Sequence, residues 1–297
     1  MRRLLVIPAA VLTTIALAAP GQAATRCGPA KAKTFSYKKV AGVDRNLTSL
    51  DLYMPSSSCR RGRKAPVVVW VHGGGYVTGD KKNQIAGKVK LFNSKGWALV
   101  SANYRLTNPS SPKPWRWPTH FEDVSAAISW VYRSIAAQGG DRSRIALLGH
   151  SAGADIVSNV ATNPNYLGRY GLGPKNLRCQ GPLDTEGFDK LASTNSEKAM
   201  WLNALGNAPD YLRTTSARLI ARKGAGTPKA IVAVRGSRVR QEIQRAYIGR
   251  LKTIGAGPNT AIEAQSLSHN EVNSRIGAPG DEVMTPPLMK FLDSCLR

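Results

Sequence analysis

A five-residue turn constrains this chain more than any other feature. Gly149-His150-Ser151-Ala152-Gly153 follows the aliphatic run Arg144-Ile145-Ala146-Leu147-Leu148 and opens a helical segment from Ala152 to about Ala161, which stops near Pro164. A serine at the apex of a strand-to-helix turn holds strained backbone angles, and flanking glycines keep that turn free of clashes. The turn exposes the Ser151 hydroxyl, and the helix N-terminus aims the Ala152 N–H at the point where an oxyanion would form. Ser151 is therefore the candidate nucleophile and Ala152 a candidate oxyanion donor.

The flanking pattern extends this unit into a fold class. Val67-Val68-Val69-Trp70-Val71 and Trp97-Ala98-Leu99-Val100-Ser101-Ala102 are continuous apolar runs, as in strands buried on both faces. Thr119 to Ala137 has helical spacing, with Val124, Ala127, Ile128 and Val131 on one face, Pro118 before it and Gly139-Gly140 after. Asn176–Leu183, Ala230–Val234 and Ala261–Leu267 read as further strands, and Gln241–Ile254 and Pro287–Leu296 as helices. Strands alternating with helices predict an α/β fold with a mostly parallel central sheet flanked by helices. In such sheets ligands sit beyond the carboxyl ends of the strands. His72-Gly73-Gly74-Gly75-Tyr76 stands at such a strand end. Its glycines let backbone N–H groups approach a substrate, so Gly74 and Gly75 join Ala152 as oxyanion-hole candidates, and His72 reads as a loop-packing residue.

The two motifs together resemble the carboxylesterases of the α/β-hydrolase superfamily, in particular the hormone-sensitive-lipase-like and feruloyl-esterase-like branches. Asn103-Tyr104-Arg105-Leu106, and Pro118 with Glu122-Asp123-Val124, are similar to that group as well. The likeness runs from about Lys33 to the C-terminus, tight around Ser151 and loose between Leu167 and Pro228. It implies an α/β-hydrolase fold, a Ser, Asp/Glu, His triad in that chain order, and no cofactor or metal. Of the histidines at 72, 120, 150 and 269, only His269, in Ser268-His269-Asn270-Glu271, follows the last strand candidate, and it is the candidate general base. The family's usual acid position, after Ala230–Val234, holds Arg235-Gly236-Ser237-Arg238 and no Asp. Asp184, at the end of the preceding strand, is the preferred acid. Glu242 is the main alternative, and Asp189 and Glu186 stay open.

The termini and composition bound the rest. Met1-Arg2-Arg3, the apolar run Leu4–Ala19 and Gly21-x-Ala23 read as a secretory signal over 1–23, leaving residues 24–297 as one catalytic domain. No later segment is apolar enough to span a bilayer. Export, extracellular or to the periplasm or cell wall, makes disulfides the default; four cysteines allow three pairings, which sequence alone does not separate, and Cys27–Cys59 with Cys179–Cys295 is the preferred one. The formal charge is +24, or +22 without Arg2 and Arg3. Such a field attracts polyanionic surfaces, but the basic residues are scattered and form no nucleic-acid motif, and a solvated basic surface is the preferred reading over a dedicated anion site. The segment Thr185–Lys223 is the only stretch long enough for a lid, which predicts no large cap domain. Its Phe188, Met200, Trp201, Leu202, Leu205 and Tyr211 either line a pocket or, the preferred reading, pack on the core. A modest open site predicts short-chain or aryl esters, free or polymer-linked, cleaved through an acyl-enzyme. An amidase, arylformamidase or peptidase on the same triad, or an inactive binding module, are the competing functions.

Overall fold

A computed structural model describes residues 27–208 and 210–297. The secretory signal expected over 1–23 lies outside the described residues. The sheet has eight strands: β1 (Lys33–Ser36), β2 (Ser49–Tyr53), β3 (Ala65–Val71), β4 (Ala98–Ala102), β5 (Gly140–His150), β6 (Cys179–Leu183), β7 (Lys229–Val234) and β8 (Thr260–Glu263). Their order is β1-β2-β4-β3-β5-β6-β7-β8; β1–β2 and β2–β4 are antiparallel, and all other pairs are parallel. Among the described residues, the helices of six residues or more are α1 (Ala86–Ser94), α2 (Thr119–Ser134), α3 (Ala152–Thr162), α4 (Asn195–Leu205), α5 (Arg238–Thr253), α6 (His269–Ser274) and α7 (Thr285–Leu296).

The two-residue side-chain period of a strand explains why the central runs are apolar throughout. Val67, Val69 and Val71 of β3 pack with Val124, Ile128 and Val131 of α2 and Ile156 and Val160 of α3. Val68 and Trp70 point the other way, onto Val89 and Phe92 of α1 and Leu288 and Leu292 of α7. Ala230 and Val232 of β7 meet Ile243, Tyr247 and Leu251 of α5. Both faces are covered, so alternation with polar residues is absent.

The chain runs from β3 out to β4 on one side and then returns to β5 on the other side of β3. This reversal opens a crevice at the carboxyl ends of β3 and β5, where the glycine loop and Ser151 stand. The 185–223 segment packs on this body and makes no separate cap. Phe188, Trp201 and Leu205 are buried, Leu202 is exposed, and Tyr211 packs against Trp117.

The structure departs from the sequence reading in several places. Strands β1 and β2 are short, and β2, paired on both sides, is buried throughout, so neither shows a pattern long enough to read. Strand β8 ends at Glu263: Ala264 N still donates to Val234 O, but a turn closed by Leu267 N to Ala264 O then takes the chain out of the sheet. Cys27 and Cys59 are bonded, but the expected Cys179–Cys295 bridge is not made. Both of these cysteines are buried thiols, and Cys295 Sγ donates instead to Phe291 O, one turn back in α7.

Candidate active site

Ser151 sits between β5 and α3 at φ 58° and ψ −123°. A left-handed φ is costly for a residue with a Cβ, and here the surroundings over-determine it. Ser151 N donates to Leu183 O, while Ala154 N and Asp155 N donate to Ser151 O. A Cβ on Gly149 would lie 2.5 Å from Gly153 O, and one on Gly153 would lie 2.3 Å from Val71 O. The flanking glycines thus let α3 press against β5 and β3. The same crowding fixes the glycine loop: a Cβ on Gly73 would meet the Ser151 Cβ at 2.9 Å, and Gly74 has φ +115° with Thr78 O in the way. No acceptor among the described residues takes the N–H of Gly74, Gly75 or Ala152. All three stay available to a ligand at Ser151.

His269 opens α6, which Ser268 and Glu271 start with a reciprocal capping box. Its Nε2 lies 2.8 Å from Ser151 Oγ, and its Nδ1 lies 2.6 Å from Asp184 Oδ2. Asp184 follows β6 with φ 60° and is fully buried. Arg235 Nη1 donates to its Oδ2 at 2.9 Å, and Arg240 Nε (2.6 Å) and Gln244 Nε2 (3.2 Å) donate to its Oδ1. Burial pushes the Asp184 carboxyl up, but His269 and Arg240 outweigh it and hold the group well below the usual carboxylate range. Arg235 Nε also donates to Leu267 O, so one side chain ties the acid to the loop that carries His269.

The other acid candidates are elsewhere. Glu242 is exposed on α5 and pairs with Arg238, one turn back. Asp189 binds Arg218. Glu186 binds Arg240 and the backbone of Thr194. His72 is buried, stacked on Tyr104 with ring centroids 4.4 Å apart. His120 is buried against Thr107, and burial pushes its imidazole down to about 4.

Several site features escaped the sequence reading because no local motif marks them. His150 packs against the His269 ring, and its Nε2 lies 2.8 Å from His269 O. Burial and the neighbouring His269 push His150 down to about 3, so it is neutral and donates to that carbonyl. Behind the glycine loop, Tyr76 donates its hydroxyl to Asp155 Oδ2, while Lys190 Nζ (2.6 Å) and Asn159 Nδ2 (3.0 Å) bind Asp155 Oδ1. Asp155 and Lys190 are both fully buried. This network joins the loop after β3 to the helix after β5. The cleft above Ser151 has a volume of about 440 Å³, and it is edged by Asn83, Gln84, Glu197, Asn270 and Asn273, with Met200 as its apolar contact.

Among the described residues, His150, Asp184 and His269 are the one group close enough to share a cation. Their donor atoms are already committed, however. The Asp184 oxygens accept from His269, Arg235, Arg240 and Gln244, and the two guanidinium groups would repel a metal.

The match to known proteins agrees with this framework. A family model described as BD-FAE matches residues 50–210. Esterase LipC of Mycobacterium tuberculosis is 30% identical over 223 residues, 70% of this chain and 53% of that protein. The probable carboxylic ester hydrolase LipM of the same organism is 39% identical over 101 residues, 34% of this chain and 22% of that protein. This chain thus spans between about a quarter and a half of the length of these curated relatives. Esterase B from Lactobacillus rhamnosis superposes with a TM-score of 0.70 at 19% identity, covering 90% of this chain and 87% of that one, a likeness of fold. The chain belongs to the BD-FAE family of the α/β-hydrolase esterases.

Proposed function

We propose that the protein is a secreted carboxylic ester hydrolase in which Ser151, His269 and Asp184 act as nucleophile, general base and orienting acid. The observation that carries this reading is the continuous chain Asp184 Oδ2, His269, Ser151 Oγ, with contacts of 2.6 and 2.8 Å. The similarity to proteins named esterase and carboxylic ester hydrolase supports the ester class.

The chemistry follows from that chain. Ser151 Oγ attacks the ester carbonyl carbon while His269 Nε2 takes its proton. The carbonyl oxygen becomes an oxyanion, within reach of the N–H groups of Gly74, Gly75 and Ala152. Ionised Asp184 keeps the Nδ1 proton of His269 directed at itself and stabilises the imidazolium. Collapse of the intermediate breaks the ester C–O bond, and His269 returns the proton to the departing alcohol. A water then attacks the acyl-Ser151 ester with His269 again as base, releasing the carboxylic acid and restoring Ser151.

The small cleft, about 440 Å³, supports short-chain or aryl esters, free or polymer-linked, over long acyl chains. The leader pattern over 1–23 supports export, after which residues 24–297 form the working enzyme. Hydrolysis of p-nitrophenyl acetate, butyrate and decanoate, beside the matched acetanilide, tests the reading. Turnover of the acetate and butyrate, abolished in Ser151→Ala and His269→Ala, is expected. Faster cleavage of the anilide would reassign the protein to amide hydrolysis. Turnover that survives Ser151→Ala would remove the serine from the chemistry.

A further inference from the structure

A cleft larger than the one at Ser151 lies at the opposite end of the sheet. Its volume is about 820 Å³, and it lies at the amino ends of β3 and β4 and beside the first half of β5, where Lys64, Trp97 and Arg144 stand. Strand β3 separates it from the glycine loop, a span of about 23 Å at the usual strand rise. Basic residues that look scattered in the sequence converge here: Arg60, Arg61, Arg63, Lys64, Lys95 and Arg144. The one acidic side chain on its wall is Asp293, which faces Arg297 at 3.9 Å.

The cleft is built and not merely lined. Arg60 donates to the carbonyls of Pro55, Arg63 and Gly139, all neutral acceptors, so its position is fixed while its charge is left uncompensated. Arg144 pairs with Asp141 and also donates to Lys64 O, which holds the loop entering β3. The basic loop is a tight turn stitched by Arg60 N to Ser56 O and Gly62 N to Ser57 O, and the Cys27–Cys59 bond clamps its start. Arg61 sits at φ 51°, a left-handed conformation that disfavours side chains. The side chains of Arg61, Arg63, Lys64 and Lys95 are exposed and have no hydrogen-bond or ion-pair partner among the described residues. Like charges gathered at this density repel one another unless an anion sits between them.

We infer that this cleft is an anchoring site for an extended anionic polysaccharide, one that carries sulfate, carboxylate or phosphate groups along its chain. Rigid guanidinium forks match such oxyanions bidentately, and the loose lysines adapt to their spacing. The concave shape suits a single chain and not a flat bilayer surface. Trp97, the aromatic residue on its wall, is buried, so no platform for stacking bases is offered. A chain held here leaves the mouth above Ser151 facing away, so anchoring and turnover proceed together. The inference does not depend on the ester reading.

Heparin serves as the probe, with affinity measured calorimetrically on the purified protein at several NaCl concentrations. The quadruple variant R61E/R63E/K64E/K95E is compared with R213E/K175E/K223E/K252E, which changes the net charge equally on other exposed surfaces. The cleft variant is expected to lose about 100-fold in affinity and to show a shallower salt dependence, while the control loses less than about 3-fold. The double variant R61E/K95E, with p-nitrophenyl acetate turnover unchanged, guards against misfolding and is expected to lose about 10-fold. Equal losses in both quadruple variants would reduce the effect to net charge and overturn the site. Tighter cleft-dependent binding of duplex DNA, or of vesicles containing phosphatidylglycerol, would overturn the choice of polysaccharide.

Discussion

Asp184 carries an unusual load for one carboxylate. It orients His269 and also neutralises Arg235 and Arg240, both largely buried. Asp184→Asn is therefore expected to act twice. Loss of the orienting charge should lower kcat by about 10⁴-fold, as removal of a triad acid does elsewhere. Arg235 left without its counter-charge, and Arg240 left with only Glu186 and Glu197 at 3.3 Å, should cost about 3 kcal/mol of stability. The pH dependence has a definite sign. The native carboxyl lies below its unfolded value of about 3.9, so its stabilisation is complete above that value and fades as pH falls through the acid range. Chemical denaturation of both proteins at pH 7 and pH 3 should thus give a deficit that shrinks on acidification. An unchanged deficit would show that the ion cluster is not its source. Tyr76 offers a second residue-scale test. Tyr76→Phe removes one donor from buried Asp155 and should cost about 1–3 kcal/mol. Because Tyr76 directly follows Gly75, kcat should fall more than KM rises, whereas a purely structural role would leave kcat per folded molecule unchanged.

At the scale of elements, the unit β5, Ser151, α3 is held together by the absence of side chains. On Gly153 a Cβ would lie 2.3 Å from Val71 O and 2.5 Å from His72 O, and neither backbone can yield without parting α3 from β3. Gly153→Ala is expected to destabilise by about 1–3 kcal/mol and to abolish turnover through displacement of Ser151. Gly249, exposed within α5 with nothing near its absent Cβ, makes the contrasting case. Gly249→Ala should stabilise by about 0.5–1 kcal/mol with activity unchanged. Thermal melts of the two variants check both signs. The core helices and strands were legible because each is long or strongly periodic. Strands β1 and β2, core helix α1 and helix α4 with its mixed faces were not, because their burial depends on neighbours distant in the chain.

Across the whole molecule the charges are divided unequally between inside and outside. Buried carboxylates such as Asp123, Asp155 and Asp184 each have a buried basic partner, so the surface keeps most of the positive excess. Among the described residues no helix is long and apolar enough to cross a membrane. Self-repulsion of a net +24 chain opposes compaction and is screened by salt. Raising NaCl from 10 to 300 mM should therefore raise Tm by a few degrees, and a fall in Tm would mean that favourable surface ion pairs dominate.

The sequence by itself determined what depends on neighbours along the chain. The apolar runs specify buried strands, and the glycine-flanked Ser151 and the His72–Tyr76 loop specify two turns whose backbone needs are local. The order of these units was enough to name a mostly parallel α/β sheet. Which carboxylate meets His269 was a choice among several in the sequence. Tertiary structure makes it, because β6 lies beside β7 and brings Asp184 under the loop after β8, while Arg235 fills the position the family gives to its acid. The same holds for the Asp155–Lys190 pair behind the glycine loop and for the basic cleft at the far end of β3. Each joins residues far apart in sequence, and their contacts arise only once the strand order has been set.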